Sequence, residues 1–228
     1  NDEYFGGKSS ADNILITAGG MNALDLVVQA VGMGKLYLPV YYWGCYFQML
    51  TVRGIGNAEY MAQRDLAGMI PELKGNAVLI CDPGNPLGEK YDDDEQFALI
   101  KKLNDAGVTV FFDSPYRRIF YDKYDNYYQR LLELENVIIT ESFSKSVGLS
   151  GQRLGFIHTT NRELHDELEV RLMYCTNGVN AFAQQLILRL LTTPTGIAAA
   201  DAFKAATSRG IALNIEYLKQ RGLLAEEY

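Results

Sequence analysis

Residues 77–113 read AVLICDPGNPLGEKYDDDEQFALIKKLNDAGVTVFFD. Two short apolar runs, Ala77–Cys81 and Thr109–Asp113, are rich in branched and aromatic residues and end at polar loops, as buried parallel strands do. Between them Asp92 to Ala106 places acidic residues in a first turn and apolar residues at helical spacing, and Gly107 supplies a stop. Strand, helix and strand at this length make a βαβ unit, so the stretch predicts an α/β fold with helices on both faces of a mostly parallel sheet.

The alternation extends in both directions. Val137–Glu141 (VIITE) reads as a further buried strand and Lys35–Pro39 as a short one, while Met21 to Val31 has helical periodicity directly after Gly19 and Gly20. Beyond Thr160 the pattern turns helical over Arg162 to Tyr174, Ala181 to Leu191 and Ile197 to Arg221, the last with a break expected near Gly210. Ligands of open α/β sheets bind beyond the carboxyl ends of the strands. Three polar stretches, Asp82–Gly88, Asp113–Tyr116 and Ser142–Lys145, each follow a strand and are therefore expected to converge on one crevice.

Composition bounds the function. The chain has 228 residues, 48% hydrophobic and 21% charged, enough for one main domain with a sizeable core. A formal charge of −7 argues against nucleic acid as a partner, since phosphate neutralisation needs clustered Lys and Arg. Cys45, Cys81 and Cys175 are odd in number and lack metal-ligand spacing, so neither a disulfide framework nor a metal site is expected, and a cytoplasmic setting fits best. No signal peptide or membrane span is read. The first residue is Asn1, not Met, as expected of a processed or trimmed chain.

The densest chemistry lies in SFSKSVGLSGQRLGF, Ser142 to Phe156. A lysine flanked by hydroxyl residues, then a glycine-bearing loop and an arginine, can link covalently to an aldehyde cofactor while Ser and Arg hold its phosphate. This segment resembles the fold-type I aminotransferases that use pyridoxal 5′-phosphate (PLP), in which a Ser-x-Ser-Lys stretch precedes an arginine eight positions after the lysine. The resemblance implies that Lys145 forms the Schiff base and shuttles the proton, and that Ser142, Ser144 and Arg153 contact the phosphate.

Four further stretches are similar to the same family. DSPYRRIF (113–120) implies Asp113 as the partner of the pyridine nitrogen and Tyr116 as a hydrogen-bond partner of the ring's phenolic oxygen. DPGNPLGEKY (82–91) implies that Asn85 reaches the same oxygen, although Asp82 stands where the family usually has Asn and Leu87 where Thr is commoner. TAGGMNAL (17–24) looks like the phosphate cup, with Gly20 and Met21 donating through their backbones at a helix N-terminus and Asn22 as a side-chain contact. LPVYYWGCY (38–46) implies a ring stacked on the cofactor, assigned to Trp43 with Tyr42 as the alternative register.

The resemblance spans roughly residues 13–185. It implies a three-layer α/β/α sandwich with a mixed, mostly parallel seven-stranded sheet: a large cofactor-binding domain over residues 1–195, then a long helical connection over 196–228. The family's smaller domain, its arginine for the substrate α-carboxylate and its N-terminal dimer arm are expected to lie outside this sequence. The implied reaction is amino-group transfer between an amino acid and a 2-oxo acid by a homodimer. The same constellation also serves decarboxylases, racemases and carbon–sulfur lyases, and an aminotransferase-like domain serves as effector sensor in some bacterial transcription regulators.

Overall fold

The computed structural model describes residues 1–120 and 125–224. Seven strands form one sheet: β1 (Ile14–Thr17), β2 (Lys35–Pro39), β3 (Gly56–Tyr60), β4 (Ala77–Cys81), β5 (Thr109–Asp113), β6 (Val137–Ser142) and β7 (Gly155–His158). Their order is β1-β7-β6-β5-β4-β2-β3. Strands β2 to β6 run parallel, and β7 is antiparallel to both neighbours. The mixed, mostly parallel seven-stranded sheet is thus present.

Alternation along the strands builds two cores. Ala77, Leu79 and Phe111 point to the face covered by helices Gly20–Ala30, Cys45–Arg53 and Arg162–Thr176. Val78, Ile80, Val110 and Phe112 point to the other, under Asp93–Asp105 and Ala181–Thr192. Strand β4 is buried along its whole length, which is why it lacks an apolar and polar alternation in sequence. Asp92 caps the crossover helix by accepting from the backbone N–H groups of Asp94 and Glu95, and Gly107 follows at φ 74.

Register sets the site. Cys81 lies opposite Asp113, and Asp113 opposite Thr140, so the loops after β4, β5 and β6 leave the sheet at one edge. Gly155 lies opposite both Thr17 and Ser142, which brings the end of β1 to that edge as well.

The expected break near Gly210 is absent: Pro194–Gln220 is one continuous helix. Nothing lies within 4 Å of where a Cβ of Gly210 would be, and a lone glycine keeps its backbone hydrogen bonds, weakening a helix by about 1 kcal/mol without ending it. The discontinuity falls earlier, at Thr193 and Pro194, where Thr193 caps the helix and the preceding helix meets it at 88°. Among the described residues no single helix is long and apolar enough to cross a membrane.

Candidate active site

A cavity of about 410 Å³ opens at the carboxyl edge of the sheet, and Lys145 lies in its wall. At one end the β1-to-helix turn, Ser142 and Arg153 meet. Gly19 adopts φ 93 at the N-cap of Gly20–Ala30, and a Cβ there would come within 2.7 Å of the Arg153 guanidinium. A Cβ on Gly20 would sit 3.1 Å from that of Ser142. The two glycines thereby let unpaired N–H groups of a helix start approach a guanidinium and a hydroxyl, an arrangement built for an anion. Gly155 makes the approach possible from below, since a Cβ on it would lie 2.5 Å from the Glu141 carbonyl and 2.9 Å from Gly19 C.

Arg153 itself is held at φ 50, in the left-handed region, with Nη1 donating to the Ser150 carbonyl at 3.0 Å. Such a conformation costs a non-glycine residue on the order of 1 kcal/mol or more and persists where the surroundings impose it. Among the described residues no carboxylate pairs with this guanidinium, so its charge is available to a ligand.

At the other end Asp113 closes β5, buried to 4% exposure. Tyr46 donates its hydroxyl to Oδ2 at 2.5 Å and Thr140 donates to Oδ1 at 2.9 Å. Burial pushes the Asp113 carboxyl up to about 6, while the bonds from Tyr46 and Thr140 restrain the rise. A buried carboxylate with this history gains most from a cationic N–H partner in the cavity. Beside it Asn85 Nδ2 donates to the Tyr116 hydroxyl at 2.9 Å, and Trp43 lines the same cavity, edge-on to Tyr46 at 5.6 Å between centroids.

An ion network anchors the Asn85 loop from behind. Arg117 is fully buried, with paired bonds to Asp93 (2.7 and 3.0 Å) and to Asp125 (2.6 and 2.7 Å). Burial opposes its charge, but the bonds to Asp125 and Asp93 keep it protonated. Lys90 bridges Asp82 at 3.1 Å and Asp93 at 2.7 Å. Burial raises the Asp82 carboxyl, and Lys90 opposes the rise. The acid at position 82, a departure from the resembled family, is therefore accompanied by a cation eight residues on.

Of the residues expected from sequence, Gly20, Met21, Trp43, Asn85, Asp113, Tyr116, Ser142, Ser144, Lys145 and Arg153 all line this cavity. Asn22 does not. Its Oδ1 accepts from the Ala18 backbone N–H at 3.0 Å, so it closes the turn that shapes the cup. Tyr42, the alternative to Trp43, does not line the cavity; both side chains pack against the same hydrophobic core. Sequence reasoning assigned no role to Tyr46 or Thr140, which hold Asp113. Tyr46 stands three residues after Trp43, a spacing that puts both on one side of a helical turn, and this was the available signal.

Fold and site together define an α/β domain that presents an anion cup, a lysine and a buried carboxylate around one crevice. The profile described as Aminotransferase class I and II matches residues 3–223, and the chain belongs to that family. A histidinol-phosphate aminotransferase of Christiangramia forsetii is 27% identical over 192 residues, covering 80% of this chain and 52% of the relative. One from Psychrobacter arcticus is 30% identical over 156 residues, 64% of this chain and 40% of the relative. The chain spans about half the length of these relatives. An aspartate aminotransferase structure from Thermus thermophilus superposes with a TM-score of 0.83 at 19% identity, covering 97% of this chain and 63% of that one. An aminotransferase from Mycobacterium tuberculosis gives 0.80 at 21%, covering 93% and 57%. At those identities the likeness establishes the fold.

Proposed function

We propose that the protein containing this chain transfers an amino group between an amino acid and a 2-oxo acid with PLP, acting as a homodimer. The observation that carries the reading is the presence in one cavity of Lys145, the buried Asp113 and the cup formed by Gly20, Ser142 and Arg153. The donor set fits the cofactor: an anion cup for the phosphate, a carboxylate for the ring nitrogen, and a primary amine for the aldehyde. When bound, PLP supplies an aldehyde for amino groups and a ring that draws off the electron pair left by the departing α-proton.

The chain's own residues do the rest. Gly20 and Met21 N–H groups, Ser142, Ser144 and Arg153 hold the phosphate. Asp113 keeps a proton on the ring nitrogen, and Tyr46 and Thr140 fix that carboxylate. Tyr116 and Asn85 address the phenolic oxygen, and Trp43 covers the ring and excludes water. Lys145 would hold the cofactor through its ε-amino group and, once the amino group of the substrate has displaced it, would carry the α-proton between the substrate and the cofactor.

Exposed Phe47, Val52, Met173 and Tyr174 on two helices packed against Gly20–Ala30 are surface of the kind a subunit contact covers. Histidinol phosphate, from the relatives' names, belongs among the amino donors tested. The decisive experiment is reduction with borohydride after adding PLP, followed by peptide mapping. The label is expected on Lys145, and a label on another lysine would refute the assignment.

A further inference from the structure

A second hollow, of about 150 Å³, opens at the same edge of the sheet and shares Asn85 with the first. Its walls come from the ends of three neighbouring strands: Tyr41 after β2, Met61 after β3, and Leu87, Glu89 and Tyr91 from the loop after β4. This is the crevice position where open α/β sheets bind ligands. The volume is below the roughly 300–1,000 Å³ of pockets that take a whole small molecule, so it suits one side chain of a ligand whose remainder sits elsewhere.

The lining has a definite chemistry. Tyr41, Met61 and Leu87 are 62%, 74% and 38% exposed, a concentration of apolar surface around one mouth. Glu89 stands among them. Among the described residues its carboxylate has no cationic partner, and its polar neighbour is the Tyr91 hydroxyl, which donates to Oε2 at 3.4 Å. The adjacent Lys90 turns away, toward Asp82 and Asp93. An uncompensated carboxylate flanked by phenol rings favours a cation, through charge and through the ring faces.

We propose that this hollow is the substrate's side-chain pocket, selecting amino acids whose side chain has a short apolar body and a cationic or N–H-donating tip, with Glu89 and Tyr91 receiving the tip. The proposal rests on the amino-transfer reading of the Lys145 cavity, because Asn85 joins the two. Leu87 then contributes apolar contact at a position where the resembled family more commonly has Thr.

The test uses methyl-¹³C-methionine NMR of the PLP-treated full chain, in which Met61 reports on this hollow and Met21 on the Lys145 cavity. Benzamidinium and its neutral near-isostere benzamide serve as probes, neither being an amino donor. Benzamidinium is expected to shift the Met61 signal saturably, with Met21 little moved. Benzamide should bind roughly five-fold more weakly, and Glu89→Gln should abolish that preference; five-fold is the upper end of what an exposed charge pair supplies.

Equal binding of the two probes, or a preference that survives Glu89→Gln, would overturn the proposal. So would a Met61 signal that ignores both probes and moves with protein concentration, which would make the hollow a contact between copies of the chain. Borohydride labelling of Lys145 in the same sample keeps the two readings separate, since it can succeed where the Met61 response fails, and the reverse.

Discussion

Asp113 shows how much one side chain depends on its neighbours. Its carboxyl is pushed up to about 6 by burial, and the hydroxyl of Tyr46 is the shorter of the two bonds that favour its charged form. Tyr46→Phe removes a hydrogen bond to an ionised group, about 1.5–3 kcal/mol, so the acid limb of the pH dependence of PLP affinity should move at least about one pH unit higher. An unchanged limb would mean that Tyr46 merely packs. Asp113→Asn keeps the shape and removes the charge. Borohydride labelling of Lys145 should persist while single-turnover conversion of PLP to its amine form, driven by an amino acid, slows at least about 100-fold. Near-normal conversion in that variant would remove Asp113 from the mechanism.

At the scale of elements, close approach and buried charge decide what each loop can do. Gly155 separates the Glu141 carbonyl from the Gly19–Gly20 turn with no room for a methyl group. Gly155→Ala should cost about 1–3 kcal/mol, lower Tm by roughly 2–12 °C and weaken PLP binding, because the cup must open to admit the side chain. Full PLP affinity in a destabilised Gly155→Ala variant would show that the cup does not depend on this contact. Behind the Asn85 loop, Lys90→Met leaves Asp82 buried beside Asp93 with one cation fewer. Stability in urea should fall by about 2–4 kcal/mol, and adding Asp82→Asn should recover part of the loss. Strictly additive losses would show that the two side chains do not interact. Sequence reading located these loops through their prolines, glycines and strand ends, but it could not place Lys90 on Asp82, since that contact depends on how the loop folds back.

For the whole molecule, buried titrating groups set the dependence of stability on pH. Glu141 is fully buried, accepts from Tyr128 at 2.7 Å and from the Ser142 N–H at 2.8 Å, and is pushed up to about 8 by burial. Between its ordinary 4.5 and 8 the folded chain keeps a proton that the unfolded chain has lost, so stability falls as pH rises through that window. Asp113 acts in the same sense between 3.8 and 6. His158, brought down to about 4 by burial, acts in the opposite sense: below 6.5 the unfolded chain gains a proton that the folded one refuses, and stability falls as pH drops. The trends oppose one another between about 4.5 and 6.5, and above 6.5 Glu141 dominates. Urea denaturation of the cofactor-free chain should therefore show a decline from pH 6.5 to 8 that Glu141→Gln flattens. The same decline in both proteins would show that Glu141 is already ionised.

By itself, the sequence determined the α/β alternation, four of the five inner strands (β2, β4, β5 and β6) and the order of the motifs at their ends, because periodicity and turn chemistry are local and report which face is buried. It did not disclose β1, β3 and β7. β1 and β7 are only four residues long, and β3 (GNAEY) is an edge strand whose side chains are mostly not buried. Nor did it disclose Tyr46 on Asp113, 67 residues apart, or Gly155 between the Gly19–Gly20 turn and the Glu141 carbonyl. Only tertiary structure decided these, since strand register brings together residues that no local pattern links, and it decided likewise that Glu89 stands at the mouth of a hollow made by three strands.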